Sequence, residues 1–358
     1  MRIDITAKSN EKKAAEDLNK TYKAGEQNMD FSIVSEDRKE VLKKIEAYEQ
    51  AGLFDKDVEN DPPAPELRPE DVDYLGKKLS SKIKTAIANK MGRKFFDAMI
   101  ENNQVLIDGV TGEENLAVLK TSGAVITCNH FGIPDNYILY HCIQNSLKKK
   151  RLYKVIREGN YTGFSGLFGF LLRNCNTLPL SSNRRTMINF MSATDTLLKR
   201  GEAVLIYPEQ GMWWNYRKPR PFKIGAFKIA VRANVPVLPA FITMKDDETR
   251  LDEHNYPLQH HTLHIMPPVY ADTSLNEKQA AQKMLEDTFA LYKNKYEEVY
   301  GIPLTYKNEG KNQCGAFAKS APEKQRGGMQ CVRSVNALSL TQPSFPETAQ
   351  SAVSHATV

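Results

Sequence analysis

The sequence of 358 residues has few cysteines, and their positions form no recognisable site. The five cysteines are scattered and include no Cys-x-x-Cys pair, and an odd number of separate thiols argues against a disulfide framework. No histidines, cysteines and carboxylates share the spacing of metal ligands. We therefore expect a protein of a reducing compartment that works without a metal ion or a bound cofactor.

Long hydrophobic runs are also missing. No apolar run approaches the roughly 18 to 20 residues that cross a bilayer, and the first residues, MRIDITAKSNEKK, contain no hydrophobic signal region. We therefore expect a cytoplasmic protein. Its hydrophobic share of 41% still allows a sizeable core, in one large domain with extensions or in two domains.

Positive charge is in modest excess, with a net charge of +6, but it is concentrated in two runs. One run covers residues 148–154, and the other includes Arg217, Lys218 and Arg220. Runs of this kind favour an anionic partner. Because no nucleic-acid-binding motif is present, we expect a phosphorylated metabolite, an acidic carrier protein or anionic lipid rather than nucleic acid.

The chain divides into three parts by composition. Residues 1–73 form a polar extension, predicted to contain one helix over residues 35–53 and an extended proline-rich linker over residues 61–69. Residues 74–306 form the main domain. Residues 307–358 are polar and lack periodicity, which predicts a disordered tail.

A long amphipathic helix is predicted to begin near Tyr74. Apolar residues recur at every fourth position, and lysines and arginines occupy much of the remaining surface. The apolar positions are Leu75, Leu79, Ile83, Ile87, Met91 and Phe95. Such a helix either packs its apolar side on the main domain or lies on an anionic membrane.

Strand and helix patterns alternate from about residue 104 onwards. Strands are predicted at residues 105–107, 124–127, 152–156, 177–180, 203–207, 237–243 and 261–266, and helices at residues 187–200, 222–233 and 276–300. This alternation predicts an α/β fold, with a mixed and mostly parallel sheet flanked by helices.

The stretch CNHFGIPDN, residues 128–136, lies between a predicted strand and a predicted helix. It places His130 five positions before Asp135, at the kind of strand-to-helix turn where α/β proteins collect their ligand sites. A histidine, with an ordinary pKa of about 6.5, can remove a proton from an alcohol at neutral pH. A carboxylate on its other ring nitrogen would fix the tautomer and stabilise the imidazolium.

Three later stretches complete a pattern of motifs. They are AVLIYPEQG at 203–211, PFKIGAFKIA at 221–230 and VPVLP at 235–239. Together with the His-x4-Asp turn, and over roughly residues 104–270, the sequence resembles the glycerolipid acyltransferase family, which includes the 1-acylglycerol-3-phosphate acyltransferases. The resemblance implies transfer of a fatty acyl group from acyl-CoA or acyl carrier protein to a lipid hydroxyl, at the inner face of the membrane.

The resemblance also implies roles for individual residues. His130 and Asp135 would be catalytic, and Glu209 and Gly211 would bind the acceptor, although a carboxylate after a strand can also merely cap a helix. Trp213 and Trp214 suit contact with an acyl chain or a membrane, with core packing as the alternative.

Two arginines that hold the acceptor's phosphate in this family have no counterpart here. Ser182 and Met212 stand at those positions. Either neighbouring arginines replace them, or the acceptor carries no terminal phosphate. The candidate replacements are Arg184, Arg185, Arg217 and Arg220. A non-catalytic relative that binds lipid or an acidic protein is a further alternative.

The expected chemistry is direct attack of the acceptor hydroxyl on the thioester. The sequence has no Gly-x-Ser-x-Gly nucleophile motif, and no cysteine lies in a nucleophile motif. Backbone N–H groups in the turns after His130 or Glu209 are predicted to stabilise the oxyanion.

Overall fold

The computed structural model describes residues 33–59 and 64–307. The earlier polar residues, part of the predicted proline-rich linker and residues 308–358 of the predicted tail lie outside these ranges. No helix among the described residues is long and apolar enough to cross a membrane.

Seven strands in the described part of the chain form one sheet, in the order β1-β7-β6-β2-β5-β3-β4. All neighbours are parallel except β6 and β7. The strands are β1 (Leu106–Thr111), β2 (Ala124–Thr127), β3 (Leu152–Ile156), β4 (Thr177–Pro179), β5 (Ala203–Ile206), β6 (Val237–Leu251) and β7 (Pro257–Ile265). The prediction of a mixed, mostly parallel sheet is confirmed.

Helices cover both faces of this sheet. The α-helices are α1 (Glu36–Ala51), α2 (Leu79–Glu101), α3 (Val118–Thr121), α4 (Asp135–Leu147), α5 (Glu158–Thr162), α6 (Gly166–Asn174), α7 (Arg184–Lys199), α8 (Gly225–Ala233) and α9 (Glu277–Tyr300). The sequence did not predict α5 and α6, because they are short and glycines interrupt their apolar pattern.

The central strands β2 and β5 are buried along their full length. Alternate side chains point to opposite faces, so that Ile126 packs in one core cluster with α4 whereas Val125 packs in another with α7 and α8. This two-sided burial explains why both strands are continuous apolar runs rather than alternating ones.

Strand β6 is longer than predicted. Beyond Thr243 it continues as an exposed antiparallel hairpin with β7. Residues 245–251 show no regular alternation of apolar and polar side chains, because few of them contact the core. Helix α9 packs against β6 through Tyr292, Tyr296 and Tyr300.

Helix α2 packs through small residues in its middle and leaves a stripe of large apolar residues exposed. Ala88 and Gly92 are buried, and a Cβ atom on Gly92 would lie 3.3 Å from Cys175 Sγ. Near its end, Phe96 stacks on Tyr137 at 4.7 Å between centroids. The exposed stripe consists of Leu79, Ile83, Ile87, Met91 and Phe95, whose exposed fractions range from 73% to 37%.

The two basic runs lie at different places in the fold. Lys148 directly follows α4, so residues 148–151 precede β3 at the amino end of the parallel strands. His130 follows β2 at the carboxyl end, on the opposite edge of the sheet. This run therefore lies at the other end of the parallel strands from His130. Lys150 instead donates to the carbonyls of Leu119 and Ser122.

The amino-terminal extension packs on the main domain. Val41 and Ile45 of α1 form a cluster with Val58 and Trp213. Leu67, in the predicted linker, is buried, and its carbonyl accepts bonds from Ser181 and Thr186. The described part of the linker has no regular secondary structure before Pro69 and is fixed to the domain.

Candidate active site

Two turns meet at the carboxyl ends of β2 and β5. The strands pair in parallel, with Thr127 opposite Ile206, so the residues that follow them are brought together. The backbone joins the turns further: Trp213 N–H donates to the His130 carbonyl at 3.1 Å, and Asn215 N–H donates to the Phe131 carbonyl at 3.0 Å. The two sequence motifs therefore build one site.

His130 and Asp135 form a close hydrogen-bonded pair. His130 Nδ1 lies 2.6 Å from Asp135 Oδ2. The same oxygen accepts the N–H groups of Phe131 and Gly132, at 3.2 and 3.4 Å. Asp135 is fully buried whereas the His130 side chain is 23% exposed. This arrangement fixes the imidazole by one nitrogen and leaves part of the ring open to a substrate.

Tyr207 contacts both members of this pair, and it was not among the site residues predicted from the sequence. Its hydroxyl donates to Asp135 Oδ1 at 2.5 Å, and its ring stacks on His130 with centroids 4.0 Å apart and planes 15° apart. Burial, together with the negative charge of Asp135, raises the pKa of Tyr207, so the hydroxyl remains a donor. Its place directly after β5 is the signal that could have identified it.

Glu209 is buried and holds the two turns together. Its Oε2 accepts the Arg220 Nη2–H at 3.0 Å and the His130 N–H at 3.4 Å, and its Oε1 accepts the Arg220 N–H at 3.0 Å. Both oxygens thus have partners inside the protein. The structure gives Glu209 a positioning role rather than the expected contact with acceptor hydroxyls.

Several backbone N–H groups that were expected to stabilise an oxyanion already have acceptors. Those of Phe131 and Gly132 donate to Asp135. Those of Gln210 and Gly211 donate to the carbonyls of Tyr207 and Glu209. These four groups therefore shape the turns.

Arg220 is fully buried, although the sequence suggested a surface phosphate binder. Besides Glu209, its guanidinium contacts the Gly211 carbonyl and donates to the Phe54 carbonyl at 3.2 Å. It also lies over the Trp213 ring, 4.8 Å from the centroid. Arg220 therefore holds the loop after β5 in place and is not available to an acceptor.

The other arginines predicted to bind a phosphate either pair with a carboxylate of the protein or lie on its surface. Arg217 pairs with Asp246 and donates to Gln259 Oε1 at 3.2 Å. Arg184 and Arg185 are exposed at the first turn of α7, where the Asn183 side chain caps the helix. The structure brings neither of these two to the His130 turn through any described contact.

The two residues that stand where the family has arginines make other contacts in this protein. Ser182 donates its hydroxyl to Glu158 Oε2 at 2.8 Å, and Ser181 donates to Glu158 Oε1 at 2.8 Å. Met212 is half-buried in the loop between Gly211 and Trp213. Neither Ser182 nor Met212 can form the two parallel bonds that an arginine makes to a phosphate.

The two tryptophans lie inside the protein or against its side chains. Trp213 is fully buried and donates its Nε1–H to the Lys56 carbonyl at 2.9 Å. Trp214 is half-buried between Arg38, His254 and Tyr256. This corrects the expectation of a membrane contact for Trp213, because its ring is enclosed by the amino-terminal extension.

Comparison with known proteins agrees with these motifs. Residues 109–243 match the family model described as Acyltransferase, and this range contains His130, Asp135, Tyr207, Glu209 and Arg220. No curated protein sequence matches the chain. The crystal structure of the 1-acyl-sn-glycerophosphate (LPA) acyltransferase PlsC from Thermotoga maritima aligns over 61% of this chain and 84% of that chain, with 18% identity and a TM-score of 0.36. A likeness this low does not transfer the acceptor of that enzyme.

Residues 109–243 are therefore similar to acyltransferases, and their motifs lie on a mostly parallel α/β sheet. Over this range the family model agrees with the resemblance to glycerolipid acyltransferases seen in the sequence.

Proposed function

We propose that this protein is an O-acyltransferase that moves a fatty acyl group from a thioester of coenzyme A or acyl carrier protein to a hydroxyl of a glycerolipid. The observation that carries this proposal is the His130–Asp135 pair, with a buried carboxylate and a partly exposed ring. A non-catalytic relative would not need this pair, so its close geometry favours the enzyme.

The proposed reaction is one direct transfer. The acceptor oxygen attacks the thioester carbonyl while His130 takes its proton, and Asp135 stabilises the imidazolium that forms. The tetrahedral intermediate then breaks its carbon–sulfur bond, and the proton passes to the thiolate that leaves. Cys128 is no alternative nucleophile, because burial raises the pKa of its thiol well above the ordinary value.

The cations around the site favour an acceptor without a terminal phosphate. Arg217 and Arg220, two of the expected replacements for the missing arginines, have carboxylate partners in Asp246 and Glu209. A phosphate monoester would have to compete with those carboxylates. We therefore propose a neutral glycerolipid, such as a monoacylglycerol or a glycolipid, in preference to 1-acylglycerol-3-phosphate.

The exposed stripe on α2 supports a peripheral location at the inner face of the membrane. Five large apolar side chains at helical spacing are exposed, on a helix that also carries many lysines. The end of the stripe approaches the site: Phe96 follows Phe95 and stacks on Tyr137, in the first turns of the helix that Asp135 begins. Ile133, in the His130 turn, is exposed as well.

An assay of the purified protein tests this proposal. It is incubated with a labelled acyl thioester and a panel of acceptors in mixed micelles, and the products are identified by mass spectrometry. We expect a labelled ester product with at least one glycerolipid, and none with His130→Ala. Hydrolysis of the thioester alone, unaffected by any acceptor, would contradict acyl transfer.

A further inference from the structure

The hydroxyl and the ring of Tyr207 each hold one member of the His130–Asp135 pair. The hydroxyl donates to Asp135 Oδ1 at 2.5 Å, and the ring stacks on the imidazole of His130, with centroids 4.0 Å apart. Both contacts arise because β2 and β5 pair in parallel, so that Tyr207, directly after β5, lies beside the turn that follows β2. One side chain from outside this turn therefore constrains both groups.

The two carboxylate oxygens of Asp135 are held by different parts of the chain. Oδ2 accepts from His130 Nδ1 and from the N–H groups of Phe131 and Gly132, all within the turn itself. Among the described residues, the donor to Oδ1 is the Tyr207 hydroxyl. Because the Asp135 side chain is fully buried, loss of that hydroxyl would leave a charged oxygen without a donor where water is excluded. The carboxylate would then no longer be fixed at both ends.

The imidazole of His130 also depends on Tyr207 for its orientation. A single bond at Nδ1 holds one atom of the ring and allows the ring to tilt about that atom. The Tyr207 ring covers one face of the imidazole, with the two planes only 15° apart, and so limits this tilt. The remaining exposure of the His130 side chain, 23%, is where an acceptor hydroxyl can approach.

We propose that Tyr207 is a positioning residue for acyl transfer, which keeps the imidazole of His130 and the carboxylate of Asp135 in one relative orientation. The inference rests on the proposed function and adds the residue that orients its general base. Tyr207 acts through His130 and Asp135 rather than on the substrates. Loss of its contacts should therefore lower kcat and leave KM unchanged.

Three variants test this role. Tyr207→Phe removes the hydroxyl and keeps the stacked ring, whereas Tyr207→Leu removes both contacts. The matched control is Tyr74→Phe, which also removes one buried hydroxyl. That hydroxyl donates to the Pro179 carbonyl at 2.8 Å, and Tyr74 packs in the core cluster that contains α7 and α8.

We expect Tyr207→Phe to lower kcat about tenfold, as for loss of a hydrogen bond to a charged group, with KM changed less than about twofold. Tyr207→Leu should lower kcat further, and Tyr74→Phe should change neither constant more than about twofold. A loss of kcat in Tyr207→Phe no larger than in Tyr74→Phe would overturn the proposal.

A double-mutant cycle separates positioning from a general effect on the fold. In an Asp135→Asn background, Tyr207→Phe should change kcat less than about twofold, because no carboxylate remains to be oriented. Partial unfolding would instead lower the rate by the same factor in both backgrounds. The same loss in both backgrounds would thus contradict a role exerted through Asp135.

Nuclear magnetic resonance tests the same role without any turnover. The proton between His130 Nδ1 and Asp135 Oδ2 should give a far-downfield signal in wild type and in Tyr74→Phe, and none in His130→Ala. We expect this signal to shift or broaden in Tyr207→Phe. If no variant transfers an acyl group, the proposed function has failed and this signal decides the inference. An unchanged signal in Tyr207→Phe, or none in wild type, would refute it.

Discussion

Arg220 and Glu209 form a buried ion pair, 3.0 Å between Nη2 and Oε2, in contact with the turn that carries His130. Both side chains are almost completely buried, and Glu209 also accepts the backbone N–H of His130. A motif that looks in the sequence like a phosphate binder beside an acceptor ligand is therefore an internal support. It joins the loop after β5 to the turn after β2.

Removal of one partner from this pair should destabilise the fold. We expect Arg220→Met to lower the free energy of unfolding by about 3–5 kcal/mol, because Glu209 would remain as a buried, uncompensated charge. Urea denaturation measures the change. The control is Lys223→Met, which breaks the exposed pair with Asp55 and should leave the urea midpoint unchanged. An equally stable Arg220→Met would contradict the supporting role of the pair.

The His130–Asp135 pair should account for most of the rate of acyl transfer. We expect His130→Ala to lower kcat by about 10²–10⁴-fold, as for loss of a general base. Asp135→Asn should lower it by a similar factor, because an amide cannot accept from both His130 and Tyr207 and the imidazole would lose its orienting charge. Circular dichroism and melting curves check that each variant is folded. A His130→Ala protein with wild-type turnover would exclude the general-base role.

Helix α2 should bind membranes through both its apolar stripe and its lysines. We expect the double variant Ile83→Ser, Ile87→Ser to lower association with anionic vesicles at least about tenfold at any salt concentration, because burial of each isoleucine stabilises binding by about 1.5–3 kcal/mol. Lys82→Gln with Lys90→Gln should weaken binding at low salt only. Vesicle sedimentation separates the two effects. Wild-type binding by the isoleucine variant would show that α2 packs against something other than lipid.

Two buried histidines should make stability depend on pH. Burial lowers the pKa of both His261 and His264 from 6.5 to about 4 in the folded protein. An unfolded chain takes up these protons near pH 6.5, so stability is complete above that pH and is lost as the pH falls towards 4.

Urea midpoints at pH 7 and pH 5 test this dependence. We expect a lower midpoint at pH 5 in wild type and a smaller difference in His261→Gln, whose side chain can still donate to the Leu106 carbonyl that His261 Nδ1 now contacts. A difference between the two pH values that His261→Gln leaves unchanged would show that other groups cause it.

Features that depend on neighbouring residues could be predicted from the sequence. The buried runs of β2 and β5 and the five-residue spacing of His130 and Asp135 fix a strand, a turn and a helix start within one short segment. Because such a segment closes on itself, the contact between the two side chains follows from local geometry. The matching family motifs and the mostly parallel sheet rest on patterns of the same kind.

Partners that come from distant parts of the chain were decided only by the tertiary structure. The sequence showed that Arg157 is basic, but not that Asp57 would face it, since a carboxylate 100 positions away leaves no local pattern. The same holds for Tyr207, which meets Asp135 across 72 positions. The apolar stripe of α2 could be seen in the sequence. The stripe is exposed because α2 packs on the domain through the opposite side, which carries Ala88 and Gly92. Side-chain spacing defines the faces of a helix, but the shape of the surface beneath it determines which face is buried.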